Sequence, residues 1–319
     1  MEEKALRLSA VFLMILTAVS FVLLPKLPAL HTWEVEAREE RIAEEEFAQS
    51  QVTMQNLKIK EQNEAAGAKG ELSIRLPEGV TGDQIAVSND YVTQTIRVEI
   101  PQADRTYFDS YPVLGNSDYI DGLSYTRQGE MGVIEVTTNK VYELQTEYDT
   151  QNFYFNFLTP HEVYDKVVVI DAGHGGRAVG ANKQGINEKD IDLAIVLKLK
   201  EIFDNSDQNI GVYYTRTDDS NPTFDQRVQL ANKSDADLFI SIHNNSTRSG
   251  RMSGTSGTQV MYDETSEASR QFAQICLEEV TGRIGSRDKG LVEGDSIYII
   301  RTSEVPVALI EVGFMTNKD

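Results

Sequence analysis

Cysteine is nearly absent from this chain of 319 residues: Cys276 stands alone, so no intramolecular disulfide staples the fold. It falls in the stripe Phe272, Ile275, Cys276 and Val280, at helical spacing, and reads as a small buried hydrophobe. A basic surplus is missing too. Against 50 Asp and Glu stand 30 Lys and Arg, a formal charge of −20, which argues against nucleic-acid binding, since phosphate contacts need clustered cations. The same charge gives no general attraction to an anionic lipid surface. Histidine is scarce, limited to His31, His161, His174 and His243, so any imidazole metal site has few candidate ligands.

One long apolar run is present. Leu8–Leu24 carries no charge and, with its flanks, approaches the roughly 20 residues that span a bilayer. Lys4 and Arg7 precede it, which favours an N-terminus inside and the rest of the chain outside. Residues 1–32 are therefore expected to be a single-pass membrane anchor. The alternative is a cleaved signal segment that releases the protein to the cell wall, but the small-residue site Ala18-Val19-Ser20 lies within the apolar core rather than after it. Either reading exports the remainder.

Residues 33–70 are rich in Glu, Ala, Arg and Gln and predict an acidic, solvated helical stalk ending in the flexible joint Ala65–Gly70. From Glu71 to about Pro160 the hydrophobic period falls to two. Leu72, Ile74 and Leu76 alternate with polar residues, as do Ile96, Val98 and Ile100, and Phe153, Phe155 and Phe157. Short alternating strands between turn signals predict a small all-β sandwich, a binding or targeting module without a catalytic constellation. From Lys166 the pattern changes again. Val167–Ile170, Leu238–Ile242 and Val307–Ile310 are continuous apolar runs, as strands buried on both faces require, and Ile191, Ile195, Leu199 and Phe203 recur at helical spacing between them. This predicts an α/β domain over residues 166–319, with a mostly parallel sheet flanked by helices.

Each of those three strands runs into a chemically distinctive residue: His174 follows the first, His243 the second and Glu311 the third. In open α/β sheets ligands bind beyond the carboxyl ends of the strands, so one fold can gather all three. Asn187 reads as a helix N-cap, which puts Glu188 in the first turn of the next helix, facing the same mouth. Two imidazoles and one carboxylate suit a catalytic zinc, leaving the fourth tetrahedral position for water, with a second carboxylate free to act as base. The same set suits non-haem iron. Gly173-x-Gly175-x-x-Ala178 also fits a dinucleotide fingerprint, but the helix pattern starts only near Asn187, too late for one.

At these residues the chain closely resembles the catalytic domain of the zinc-dependent N-acetylmuramoyl-L-alanine amidases. The matching segments are VVVIDAGHGG, INEKDIDLAIVLKL, YYTRTDD, FDQRVQLANKSDADLFISIHNN and SIYIIRTSEVPVALIEVGFMTN, in the family's order. The resemblance implies that His174, Glu188 and His243 bind one zinc ion per chain and that Glu311 is the catalytic acid/base. It implies a bacterial autolysin-type hydrolase that cuts the amide between N-acetylmuramic acid and L-alanine in peptidoglycan, outside the cell membrane. A non-catalytic wall-binding scaffold of the same fold, or a zinc peptidase acting on the stem peptide, are the rival readings. Residues 71–160 resemble, more weakly, the β-sandwich modules that precede such amidases, which adds an envelope protein partner as a candidate. The family normally continues past the G-F-M-T-N segment into a C-terminal helix, so a truncated end at Asp319 is one reading. Some members carry a blocking helix after the second histidine; here Ser246–Gly257 is short, polar and Gly-rich, so no self-inhibited state is expected from it.

Overall fold

The computed structural model describes residues 27–61 and 69–318. The expected membrane segment, Leu8–Leu24, lies outside the described residues, and among those described no helix is long and apolar enough to cross a membrane.

Two five-stranded sheets precede the α/β domain. One has the order Gln55–Asn56, Ile120–Gln128, Met131–Thr138, Thr95–Pro101, Ala86–Asp90; the other runs Lys60–Glu61, Leu114–Gly115, Leu72–Arg75, Asn152–Leu158, Glu143–Tyr148. In Thr95–Pro101 and Asn152–Leu158 alternate residues face inward. Ile96, Val98 and Ile100 of the first sheet share one core with Leu72, Ile74, Phe153, Phe155 and Phe157 of the second. This is sheet-on-sheet packing, with polar residues on the outer faces. Two edge strands lie upstream of Glu71, where the alternation first becomes visible; at two residues each they are too short to carry a pattern.

The α/β domain holds a six-stranded sheet in the order Ile210–Tyr214, Lys166–Ala172, Leu238–Asn245, Val307–Phe314, Thr258–Tyr262, Asp288–Glu293. The first four strands are parallel to one another. Thr258–Tyr262 runs antiparallel to Val307–Phe314, and Asp288–Glu293 runs parallel to Thr258–Tyr262. The sheet is therefore mixed: mostly parallel, as expected, with one antiparallel pairing that the apolar runs did not signal. The reason is the connection: residues 246–257 contain no helix, so the chain leaving Asn245 turns back from the same end of the sheet instead of crossing over it.

Both faces of this sheet are covered, which accounts for the unbroken apolar runs. Val167 and Val169 pack beneath the helices Phe224–Lys233 and Tyr298–Arg301. Val168 and Ile170 pack beneath Glu188–Asp204 and Glu267–Ile284, with Cys276 half-buried in that layer. The sandwich meets the α/β domain at Glu143, whose carboxylate accepts from Tyr213 Oη at 2.6 Å and Tyr91 Oη at 2.9 Å.

Leu27–Ser50 is helical, but it is not a solvated stalk. It lies against the α/β domain, with Ala43 only 3% exposed and a series of its glutamates bonded to that domain.

Candidate metal centre

Strand register assembles the site. His243 and Glu311 are direct neighbours on adjacent parallel strands, and Ala172 pairs with Ile242, which places the Gly173–His174 turn beside them. His174 takes a left-handed backbone (φ 57°), followed by Gly175 and Gly176 at φ 140° and 50°, so the chain doubles back and aims the imidazole at the sheet's mouth. Gly173 is required by proximity: a Cβ there would stand 2.4 Å from Cε1 of His243.

Glu188 opens the helix Glu188–Asp204. Its Oε1 lies 3.1 Å from Nε2 of His174 and 3.2 Å from Nδ1 of His243. Zinc–ligand distances near 2.0–2.2 Å at tetrahedral angles separate ligand atoms by about 3.3–3.5 Å, so three donors already converge on one cation-sized position. The carboxylate is fixed by two backbone donors, Asn244 N–H to Oε1 at 3.0 Å and Ala181 N–H to Oε2 at 2.7 Å. Asp192, one turn along the same helix, completes a group whose ligand atoms all lie within 4.8 Å of one another. It accepts from Asn244 Nδ2 at 2.8 Å through Oδ1, while its buried Oδ2 has no hydrogen-bond partner among the described residues. Oε2 of Glu311 is likewise buried without a partner among them. Unsatisfied buried carboxylate oxygens of this kind mark a place where a cation or a reacting group belongs. The donor chemistry fits zinc.

Electrostatics follow from burial and these contacts. Burial pushes the carboxyls of Glu311 and Asp192 up to about 7. For Glu188 burial acts in the same direction, but hydrogen bonds and charge from the two imidazoles outweigh it and hold the group well below the usual carboxylate range. His174 is raised despite its burial, through Glu188 and Glu39.

A buried brace sits beneath the histidine turn. Burial would raise Asp171, but the Arg227 guanidinium at 2.6 Å, together with Ser241 and Thr215, holds it down to about 2. Arg227 Nη2 also donates to the His174 carbonyl at 2.7 Å. Arg216 donates to the carbonyls of Ala172 (2.9 Å), Gly173 (2.6 Å) and Lys189 (2.9 Å), tying the turn to the Glu188 helix.

The four expected residues, His174, Glu188, His243 and Glu311, thus line one cavity of about 380 Å³. Asp171, Asp192, Arg216 and Arg227 were not anticipated. Asp192 could have been found as a second acid at i+4 from Glu188, and Asp171 as a charge ending an apolar strand. Glu39 had no sequence signal beyond a charged run. The Ser246–Gly257 loop carries no helix, as expected, yet the cavity is roofed: Val35, Glu36 and Glu39 of the helix Leu27–Ser50 form one wall. Glu39 Oε2 lies 3.2 Å from Nδ1 of His174, and both side chains are 11% exposed.

The fold and site define an α/β domain with a metal-competent cluster at the carboxyl ends of its central strands. Residues 168–319 match the family model described as N-acetylmuramoyl-L-alanine amidase. The chain is 39% identical over 158 residues to the uncharacterized protein YqiI of Bacillus subtilis (strain 168), covering 48% of this chain and 71% of that protein. It is 32% identical over 150 residues to the N-acetylmuramoyl-L-alanine amidase CwlM of Bacillus licheniformis, covering 47% of this chain and 57% of that one. A solved N-acetylmuramoyl-L-alanine amidase from Clostridium difficile 630 matches at 34% identity and a TM-score of 0.45, over 48% of this chain and 81% of the other. The chain belongs to the N-acetylmuramoyl-L-alanine amidase family.

Proposed function

We propose that the α/β domain hydrolyses the amide between the lactyl group of N-acetylmuramic acid and L-alanine in peptidoglycan, with one zinc ion held by His174, Glu188 and His243. The observation that carries this reading is the convergence of Glu188 Oε1 with a ring nitrogen of each histidine, beside the unpartnered carboxyl of Glu311. When bound, zinc supplies a Lewis acid that brings the pKa of a water toward about 7.

The chain's own residues do the rest. Glu311 takes a proton from the attacking water and delivers it to the nitrogen of the departing L-alanine. Its carboxyl, lifted by burial to about 7, is poised to exchange a proton near neutrality. Glu188 stays ionised and keeps its position through Asn244 N–H and Ala181 N–H. Asp192 orients the Asn244 side chain and so the strand end that carries His243. The same reading places the domain in the bacterial envelope, anchored through the N-terminal segment or secreted to the wall, with the β-sandwich as a wall- or partner-binding module.

Mass spectrometry of purified peptidoglycan after digestion, with and without added zinc, tests the proposal. New free N-termini on L-alanine, dependent on zinc, are expected. Cleavage within the stem peptide would move the case to a peptidase, and zinc-loaded protein that binds wall without cutting it would move the case to a scaffold.

A further inference from the structure

Most cations of the α/β domain have an acid beside them. Lys166, Arg177, Lys189, Lys198, Lys200 and Arg227 each form an ion pair. A second group has no acid partner among the described residues and, Arg270 aside, it is gathered in one place. Arg248 and Arg251 sit in the loop 246–257, Arg287 and Lys289 at the start of the strand Asp288–Glu293, and Lys318 just beyond the strand Val307–Phe314; all five are exposed. Backbone bonds lace these segments together. Thr247 N–H donates to Thr316 Oγ1 at 2.9 Å, Ser253 N–H to the Thr316 carbonyl at 2.8 Å, Lys318 N–H to the Ser253 carbonyl at 3.1 Å, and Thr258 N–H to the Arg287 carbonyl at 2.8 Å. Lys183 joins from the hairpin Asn182–Asn187, its Nζ 3.2 Å from the position a Cβ would take on Gly250. The acid among them, Asp288, has its Oδ1 engaged by Gly290 N–H at 2.7 Å. A chain with a formal charge of −20 thus carries a local positive rim.

The rim adjoins the metal cavity. Asn245 and Ser246, where the loop begins, line that cavity together with Glu311. Across the sheet Gln259 faces Glu311 and Thr258 faces Asp288, so Arg287 and Lys289 stand two strands away from Glu311. At about 4.8 Å per strand the interval is about 10 Å. An extended peptide covers about 3.3–3.6 Å per residue, so the second and third residues beyond a bond cut at Glu311 reach the rim. Half-buried Phe314, paired with Asn245 and covered by Lys289 Nζ at 5.2 Å from its ring centre, lies on the way.

We propose that this rim is a carboxylate-recognition site for the stem peptide of the wall polymer. The scissile amide lies at Glu311, and the rim cations hold the free carboxylates of the residues that follow L-alanine. The inference rests on the amidase reading and adds a specificity to it: stems with free carboxylates are favoured over stems whose carboxylates are amidated. Exposed charge pairs are individually weak and screened by salt, so the cluster acts through several cations together. An anionic polymer would be drawn by the same charge, but the spacing from Glu311 and the continuity with the cavity favour the peptide being cut.

The test uses the full chain loaded with zinc and a tripeptide beginning with L-alanine, once with free carboxylates and once with all of them converted to carboxamides. Calorimetric titration gives the ratio of the two affinities, and muramyl forms of the same peptides give the ratio of their KM values. The native protein should prefer the carboxylate form by about tenfold at low salt, the combined effect of several weak pairs. The preference should vanish in about 1 M salt, where charges are screened over about 3 Å. Arg287→Gln with Lys289→Gln should reduce it to about twofold, as should Arg248→Gln with Arg251→Gln. Lys198→Gln with Lys200→Gln, which removes the same charge from the helix Glu188–Asp204, should leave it intact. Equal affinity for the two peptides, no binding of either, or a preference that survives in both rim variants would overturn the rim, while hydrolysis of the muramyl forms would still uphold the amidase reading. Binding of poly(glycerol phosphate) without discrimination between the peptides would also overturn it and reassign the rim to an anionic polymer. A binding preference in the expected order with no muramyl form cut would keep the rim and sink the amidase reading.

Discussion

Arg227 reaches from the helix Phe224–Lys233 to donate to the backbone carbonyl of His174 at 2.7 Å, while its other terminal nitrogen contacts Asp171 at 2.6 Å. One buried cation thus sets the turn on which the first histidine stands. Removing one partner of a buried pair costs about 3–5 kcal/mol because the other is left uncompensated. Disturbing an outer partner of a metal ligand costs about 10–100-fold in metal affinity. Arg227→Met is expected to do both, and Arg227→Lys, which keeps the charge but loses the fork, should recover part of the stability and little of the affinity. Denaturant titration and zinc titration read the two effects separately; full affinity in Arg227→Met would show that the brace does not position His174.

The same pair gives an acid dependence. Asp171 is held at about 2 in the folded protein, below the ordinary value of about 3.9 that it regains on unfolding. Its ionised form therefore stabilises the fold above about pH 4, and that stability is lost as pH falls from there through about 2, an amount on the order of 2–3 kcal/mol. Unfolding free energies measured from pH 6 to pH 2 should decline more steeply for the native chain than for Asp171→Asn, which starts less stable. Parallel curves would remove Asp171 from the account.

Gly180 adopts φ +66°, and a Cβ there would lie 2.6 Å from both Glu188 Oε2 and His174 Cδ2. Gly180→Ala should cost roughly 1–2 kcal/mol from the left-handed backbone alone. Its larger effect should fall on the metal, because two proposed ligands are pushed apart. Zinc affinity is expected to drop by about 10–100-fold while the circular dichroism spectrum stays native. Native affinity would mean that the pocket wall yields more readily than its contacts imply.

The strands that lead to His174, His243 and Glu311 were legible because a sheet covered on both faces leaves long apolar runs, and a polar residue at or just beyond the end of such a run stands out. The sandwich core was legible for a similar reason, in the alternation of Ile96, Val98 and Ile100. Strand direction was not: the orientation of Thr258–Tyr262 depends on what residues 246–257 fail to form, and an irregular loop leaves no periodic mark. The docking of Leu27–Ser50 was hidden more completely. Glu36, Glu40 and Glu46 bond to backbone N–H groups and side chains far away in sequence, and a carboxylate aimed at a helix N-terminus looks the same in the sequence as one aimed at water. Arg216 and Arg227 were hidden likewise, since charged residues in polar segments gave no sign that both would be buried against backbone carbonyls.

Metal binding and proton transfer are assigned to different carboxylates, and a paired substitution separates them. Glu188 touches both imidazoles through one oxygen, whereas Glu311 lies beside His243 with a free, buried oxygen. Glu311→Gln should keep zinc near one per chain and lower kcat by roughly 10²–10⁴, the usual worth of a general base. Glu188→Gln should lose zinc affinity first, and turnover as a consequence. Zinc content and kcat measured on the two variants side by side are the direct test: retained zinc with lost turnover in Glu311→Gln is the predicted result. Loss of zinc from Glu311→Gln, with Glu188→Gln still loaded and impaired only in turnover, would contradict the assignment.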